Sequence, residues 1–242
     1  MPWKWYDSQV VDIVDRSPST KSFWLKIDDM SAFDFTPGQF ITLDLPLGEK
    51  RRDRWRSYSI ANVPAKVEGL IEPCIVKLAG GSATSYLFSQ LQKGDTLRFK
   101  GPDGNFVLPD LVEKEVVMVC TGTGIAPFRS MLIDLRRKGS FGQRIHLIYG
   151  TRFQADMLYR QELEALAAEE PNFLFTTVLS RDTDWKGAKG YVHQIYLENY
   201  STANQNRLFM LCGWSMMIDE AVTNLIVKLG YEKSQIKYEL YG

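Results

Sequence analysis

Gly122 and Gly124, in CTGTGIAPFRSML (120–132), follow an apolar run and precede an amphipathic one. Glycines at such a turn let backbone N–H groups approach a pyrophosphate, and the N-terminus of the following helix adds positive potential. Pro127 suits the first turn of that helix, where a missing N–H costs nothing. A second glycine pair, Gly80-Gly81 in AGGSATSYLF (79–88), opens another helix and repeats the anion-binding arrangement. RWRSYSIAN (54–62) sets Arg56, Tyr58 and Ser59 close together. On a strand, Arg56 and Tyr58 share one face and Ser59 takes the other. That combination offers a guanidinium for phosphate, a ring to stack on a flat heterocycle and a hydroxyl for a ring nitrogen. Further on, Ser180, Arg181, Lys186, Lys189 and Tyr191 gather around Asp182. They suit an adenosine 2′-phosphate, with Tyr191 stacking on adenine. Taken singly, each stretch also fits a plain turn, a surface strand or a solvated loop. Two phosphate turns in one chain point to two nucleotides.

The elements that must position these residues change character along the chain. Up to about residue 110, short β-branched and aromatic runs at 10–14, 22–27, 40–45, 58–61, 70–77 and 96–100 are punctuated by Gly and Pro. They predict a six-stranded antiparallel barrel, with one helix at 85–91. From 111 the rhythm alternates. Strands are expected at 116–120, 145–149, 173–179, 208–211 and 236–241, and helices at 127–138, 158–169, 192–199 and 216–229. Phe128, Leu132 and Leu135 share one helical face. The alternation predicts a doubly wound parallel sheet of five strands. The chain therefore divides into a β domain over 1–110 and an α/β domain over 111–242.

Composition excludes several classes. The 29 basic and 29 acidic side chains cancel, so no global charge argues for nucleic acid or a membrane surface. The longest apolar runs are strand-sized, far short of a membrane span. The N-terminus has no cationic start followed by an apolar core, so no secretory signal is expected. Cys74, Cys120 and Cys212 are three and far apart. This excludes a disulfide framework, a zinc knuckle and an in-chain iron–sulfur cluster, and leaves no metal site to propose. A reducing, cytoplasmic setting is the expectation.

In order and spacing, PGQFITL (37–43), RSYSIA (56–61), GGSATSYLF (80–88), GPDGNFVL (101–108), CTGTGIAPFRSML (120–132), MLCGWSMM (210–217) and YELYG (238–242) resemble the plant-type ferredoxin–NADP reductase family. YGTRFQADMLYRQELEAL (149–166) and LSRDTDWKGAKGYV (179–192) extend the resemblance over nearly the whole chain. It implies a flavin-binding barrel carrying FAD, followed by an NADP-binding domain. Arg56 would meet the FAD pyrophosphate, Tyr58 the isoalloxazine face and Ser59 its N5 edge, with Ser57, Ile75 and Lys77 nearby. Gly81, Ser82, Ala83 and Thr84 would hold the pyrophosphate, Thr84 through its hydroxyl as well. Tyr241 would cover the other flavin face. Thr121, Gly122, Thr123, Gly124, Pro127, Arg152, Gly213 and Met217 would line the dinucleotide site, and Ser180, Arg181, Lys189 and Tyr191 its 2′-phosphate end. Ser59, Cys212, Glu239 and Tyr241 form the implied catalytic set.

The implied activity moves a hydride between NADPH and FAD, and single electrons to or from a ferredoxin, flavodoxin or similar carrier. NADH remains open as the nucleotide. Alternatives are the reductase subunit of an oxygenase or quinone-linked system, a flavin reductase, and a non-enzymatic flavin-binding electron-transfer or sensor module.

Overall fold

The computed structural model describes residues 4–27, 33–64, 69–109, 113–139 and 141–241. It resolves into two compact units, one of residues 1–107 with 126–134, the other of 108–125 with 135–242. The expected boundary between 110 and 111 lies outside the described residues.

In the first unit, β1 (Trp5–Ser17) and β2 (Thr20–Ile27) form a long antiparallel hairpin. Next come β3 (Phe40–Asp44), a single helical turn α1 (Arg51–Arg54), and β4 (Trp55–Ser59). Then follow β5 (Leu70–Ile71), β6 (Cys74–Val76), α2 (Ser82–Ser89) and β7 (Thr96–Asp103). The sheet runs β4-β3-β7-β1-β2-β5, with β6 also on β2. Its two ends meet through a bridge between Ile60 and Pro73 and through the Ala61 N–H, which donates to the Glu72 carbonyl at 2.8 Å. Alternate side chains fill the interior: Val10, Phe23, Leu25, Ile41, Leu43 and Phe99 are buried together. Seven strands stand where six were expected, because the run 70–77 is split. Pro73 has no N–H for a ladder and ends one pairing before the next begins. Helix α2 starts three residues earlier than its apolar pattern indicated, immediately after the Gly80-Gly81 turn.

The second unit holds β8 (Glu115–Thr121), α3 (Ile125–Lys138), β9 (Ile145–Thr151), α4 (Arg160–Glu169) and β10 (Phe173–Leu179). It continues with β11 (Ala188–Lys189), α5 (Val192–Asn199), β12 (Arg207–Trp214), α6 (Ser215–Thr223) and β13 (Ile236–Tyr241). The middle of α3, residues 126–134, counts with the barrel by its contacts. All strands are parallel, ordered β11-β10-β9-β8-β12-β13. β8, β9 and β12 are buried almost end to end, which explains their unbroken apolar sequences. Successive strands run outward from β8 through β9 and β10, and the chain then returns to β12 on the other side of β8. The strand order thus reverses between β8 and β12, the switch point where such sheets bind ligands. The sixth strand, β11, has two residues, too few to leave a periodic signal. Among the described residues no helix is long and apolar enough to cross a membrane, and no cluster of His, Cys, Asp and Glu is placed to hold a metal ion.

Candidate functional site

β4 ends the strand order of the first unit and pairs with β3, placing Arg56 opposite Leu43, Tyr58 opposite Ile41 and Ser59 opposite Phe40. Ser59 is buried. Tyr58 packs its ring partly against the barrel core, and burial pushes its hydroxyl up to about 12 against the opposing pull of Arg56. The phenol is therefore neutral, a ring with a polar tip. The Arg56 guanidinium donates to the carbonyls of Arg52 at 2.7 Å and Trp55 at 2.8 Å, folding back over α1. Ser57 shares a hydrogen bond with Thr42 at 3.0 Å, the Ile75 side chain is packed in the core, and Lys77 is exposed.

The start of α2 leaves its first peptide N–H groups without a side-chain acceptor. Gly81 caps it with no side-chain hydrogen bond, and its first turn carries no acid. Gly80 has φ +73° and faces open space. A Cβ on Gly81 would sit 2.9 Å from Thr84 Oγ1 and 3.1 Å from Leu78 Cβ. The Thr84 hydroxyl accepts the Leu78 N–H at 3.1 Å, and lies 3.2 Å from the Gly81 carbonyl and 3.3 Å from that of Leu78. This revises one expectation: the hydroxyl secures the turn itself. An anion is left the peptide N–H groups of Ser82, Ala83 and Thr84, which have no carbonyl behind them in the helix. A diphosphate fits that cradle.

In the second unit, β8 passes through a 3-10 turn, Gly122–Gly124, into α3. Gly122, at φ +54°, also faces open space. A Cβ on Gly124 would stand 2.3 Å from the Cys212 carbonyl oxygen, and one on Gly213 (φ +148°) 2.6 Å from Thr121 Oγ1 and 3.0 Å from Met217 Cε. Glycine is thus what lets the ends of β8 and β12 touch at the switch point. Pro127 is buried in the first turn of α3 and Thr123 is half-buried in the glycine turn. Among the described residues, Thr121 Oγ1 is buried without a hydrogen-bond partner. An orphaned hydroxyl costs about 1–3 kcal/mol, so its survival beside a nucleotide-type turn fits a ligand that supplies the partner.

Across the same end of the sheet, Cys120, Cys212 and Glu239 stand in register on β8, β12 and β13, and Tyr241 pairs with Trp214. Both thiols are fully buried and held well above the ordinary thiol range by that burial. The Glu239 carboxylate pushes Cys212 further up, while a hydrogen bond with the Tyr241 side chain pulls it back. Cys212 is therefore a neutral thiol, not a thiolate nucleophile. The structure brings Cys212, Glu239 and Tyr241 together as expected from the motifs.

Beyond β9 and β10 the ladder runs on. Ser180 donates its N–H to the Thr151 carbonyl and Arg181 to that of Arg152, both at 3.0 Å, which sets the exposed Arg152 and Arg181 beside each other. Lys189 Nζ donates to the Thr183 carbonyl at 2.7 Å, and Tyr191 is 68% exposed at the start of α5. Asp182 accepts N–H groups from Gln154 (3.0 Å), Asp184 (3.1 Å) and Trp185 (3.2 Å), so its carboxylate shapes the loop. Motif reading missed Asn62, Glu72, Arg129 and Ser130, which secure the segment after Ser59. The signal was present in Glu72, an acid inside the apolar run LIEPCIV.

Two family descriptions match: "Oxidoreductase FAD-binding domain" over residues 7–108 and "Oxidoreductase NAD-binding domain" over 118–223. "Ferredoxin--NADP reductase B" of Sorangium cellulosum (strain So ce56) is 31% identical over 244 residues, covering 98% of this chain and 97% of its own. "Phenol 2-monooxygenase, reductase component DmpP" of Pseudomonas sp. (strain CF600) is 31% identical over 239 residues, covering 98% of this chain. The chain spans 65% of that relative's length, just under two thirds. A solved ferredoxin NADP+ reductase from Neisseria gonorrhoeae, with bound FAD and NADP, superposes with a TM-score of 0.81 at 25% identity. That match covers 98% of both chains. The chain belongs to the ferredoxin reductase-type family of FAD- and NAD(P)-binding oxidoreductases.

Proposed function

We propose that the chain is a reductase that draws electrons from NADPH through bound FAD and delivers them singly to an acidic redox carrier. One observation carries the reading. Two helices in the same chain, α2 and α3, open on glycine with neither a side-chain cap nor an acid in the first turn. Bound FAD would supply the chemistry the side chains lack, accepting electrons in pairs and releasing them one at a time. The protein's part is orientation. The N–H groups of Ser82, Ala83 and Thr84 and the Arg56 guanidinium hold phosphate, Tyr58 offers a ring face, and Ser59 a buried hydroxyl for a ring nitrogen. Thr121 gives its unpartnered hydroxyl to the nicotinamide nucleotide, and Cys212 a neutral sulfur. Glu239 and Tyr241 set the surroundings of that sulfur.

Arg152, Ser180, Arg181, Lys189 and Tyr191 along the edge of β9–β11 support NADPH, since a 2′-phosphate needs cations and a hydroxyl. The partner class is supported by the basic face formed by α1 and its neighbours. The exposed Arg51 lies 5.0 Å over the Trp55 ring and the exposed Arg98 4.8 Å over Trp5, while Lys100, 5.3 Å over the Trp55 ring, is buried and paired with Asp103. A basic patch on a chain of zero net charge steers acidic partners. The three thiols fit a cytoplasmic setting.

A second reading, an NADH-dependent reductase of an oxygenase, is favoured by the phenol 2-monooxygenase relative and by Asp182 and Asp184 in the proposed phosphate loop. A steady-state panel separates the two, with NADPH and NADH as donors and ferredoxin, flavodoxin, a quinone and free flavin as acceptors. The proposal expects the highest kcat/KM for NADPH with an acidic carrier; higher kcat/KM with NADH would favour the second reading.

A further inference from the structure

β4 has its last ladder pair at Ser59 opposite Phe40. The peptides that follow lose β3 as a partner, yet Ile60, Ala61 and Asn62 are all buried. Their hydrogen bonds come from elsewhere in the same unit. Ile60 donates to the Gln39 carbonyl at 3.0 Å and Ala61 to that of Glu72 at 2.8 Å. The Asn62 side chain accepts the Glu72 N–H at 2.8 Å and donates to the Leu70 carbonyl at 2.8 Å. The carbonyls of Ala61 and Asn62 are taken by the α3 segment: Arg129 Nη1 donates to Ala61 at 3.0 Å and Ser130 Oγ to Asn62 at 2.5 Å.

Arg129 is itself held. Its Nη1 also donates to Glu72 Oε2 at 2.8 Å, while Glu72 Oε1 accepts from Arg16 at 2.8 Å and from Ser22 at 2.6 Å. Glu72 has no exposed side-chain surface, and that of Arg129 is 12% exposed. Such a buried ion pair adds little stability over apolar residues of the same volume, so stability alone does not explain it. Geometry does. One guanidinium nitrogen, Nη1, reaches the Glu72 carboxylate and the Ala61 carbonyl at once, its two N–H groups fixed in the guanidinium plane. An apolar side chain has no donor, and an ammonium on its flexible stem has no such fixed plane.

We propose that Arg129 and Ser130 are positioning residues for the end of β4, fixing the peptides just beyond Ser59 and so the direction of its buried hydroxyl. This rests on the proposed function in one respect, that Ser59 faces the flavin.

The test uses the full chain loaded with FAD, as wild type, R129K, S130A and the double variant. R129K keeps a positive charge beside Glu72 and loses the planar Nη1 that bridges Glu72 and the Ala61 carbonyl; S130A removes one hydroxyl and no charge. Three readouts are taken: hydrogen–deuterium exchange of the peptide spanning residues 59–62, visible circular dichroism of the bound FAD, and the limiting rate of FAD reduction at saturating NADPH. The proposal expects full FAD content and an unchanged KM for NADPH. It also expects faster exchange, a changed dichroism band and a limiting rate lowered about tenfold in R129K, in line with the sensitivity of rate to sub-ångström misplacement. The double variant should lose little more than R129K, because both side chains hold one segment. Exchange and rate matching wild type would overturn the proposal, as would FAD loss with a normal limiting rate in the loaded fraction. Should R129K not accumulate, S130A carries the same test. If wild-type FAD is reduced by neither nucleotide, the proposed function fails. Exchange and dichroism then decide the positioning role by the same criteria.

Discussion

At Thr121 a hydroxyl oxygen is buried without a partner, beside glycines that leave no room for a Cβ. Thr121→Val keeps the shape and removes the orphan. We expect the ligand-free protein to gain about 1 kcal/mol in urea unfolding, because the desolvation penalty disappears. The dissociation constant for NADP should rise in the same variant; a fall in both stability and affinity would reassign Thr121 to packing. Arg181→Ala should raise the KM for NADPH about tenfold, roughly the worth of one charge-assisted hydrogen bond, and leave that for NADH nearly unchanged. Equal effects on both nucleotides would refute a 2′-phosphate role. At this scale the sequence was legible where backbone conformation or close approach limits the residue type, as at Gly122 and Gly124 in the turn between β8 and α3. It was opaque wherever a group could serve either ligand or fold. Thr84 and Asp182 have the right atoms for a ligand, yet the structure commits them to their own turns. Nothing local to either residue distinguishes the two uses.

Elements with a sustained pattern were readable and short ones were not. The apolar runs of β8, β9 and β10 and the amphipathic stretch of α3 stand close to where they were expected. β11, with two residues, and α1, with four, fall below any period. Position 73 shows a different limit: the run 70–77 was read as one strand through its proline, and whether one strand bends or two strands form depends on what lies opposite, here Ile60. Between elements, His146 on β9 joins β10 and the end of α5. Its Nδ1 is 2.6 Å from the Tyr200 hydroxyl and its Nε2 2.8 Å from Thr176 Oγ1. Burial, helped by the nearby Arg144 charge, lowers its pKa from 6.5 to about 4. The unfolded chain therefore takes up a proton that the folded ring refuses. The contribution, up to about 3 kcal/mol, is complete above the unfolded pKa and lost as pH falls toward the folded one. Urea midpoints of the wild type should drop between about pH 7 and about pH 4.5, and those of His146→Leu should drop less by that amount. Parallel pH profiles would contradict the assignment.

For the whole molecule, the change from punctuated strands to strand–helix alternation indicated an antiparallel and an α/β part without any contact information. What it could not show was that residues 126–134 of α3 belong with the barrel. Phe128 and Leu132 mark a buried face whichever core they enter, because periodicity records burial and not the partner. Bulk charge was similarly silent: zero net charge conceals the exposed Arg51 and Arg98, which lie over Trp55 and Trp5. The chain is expected to hold FAD and to reduce it with a nicotinamide nucleotide. Anaerobic titration of the purified, FAD-reconstituted protein with NADPH tests it most directly. We predict a yellow protein whose flavin absorption bleaches with an endpoint near one NADPH per FAD. A chain that takes up no FAD, or bound FAD that neither NADPH nor NADH bleaches, would rule out a nicotinamide-reduced flavoprotein.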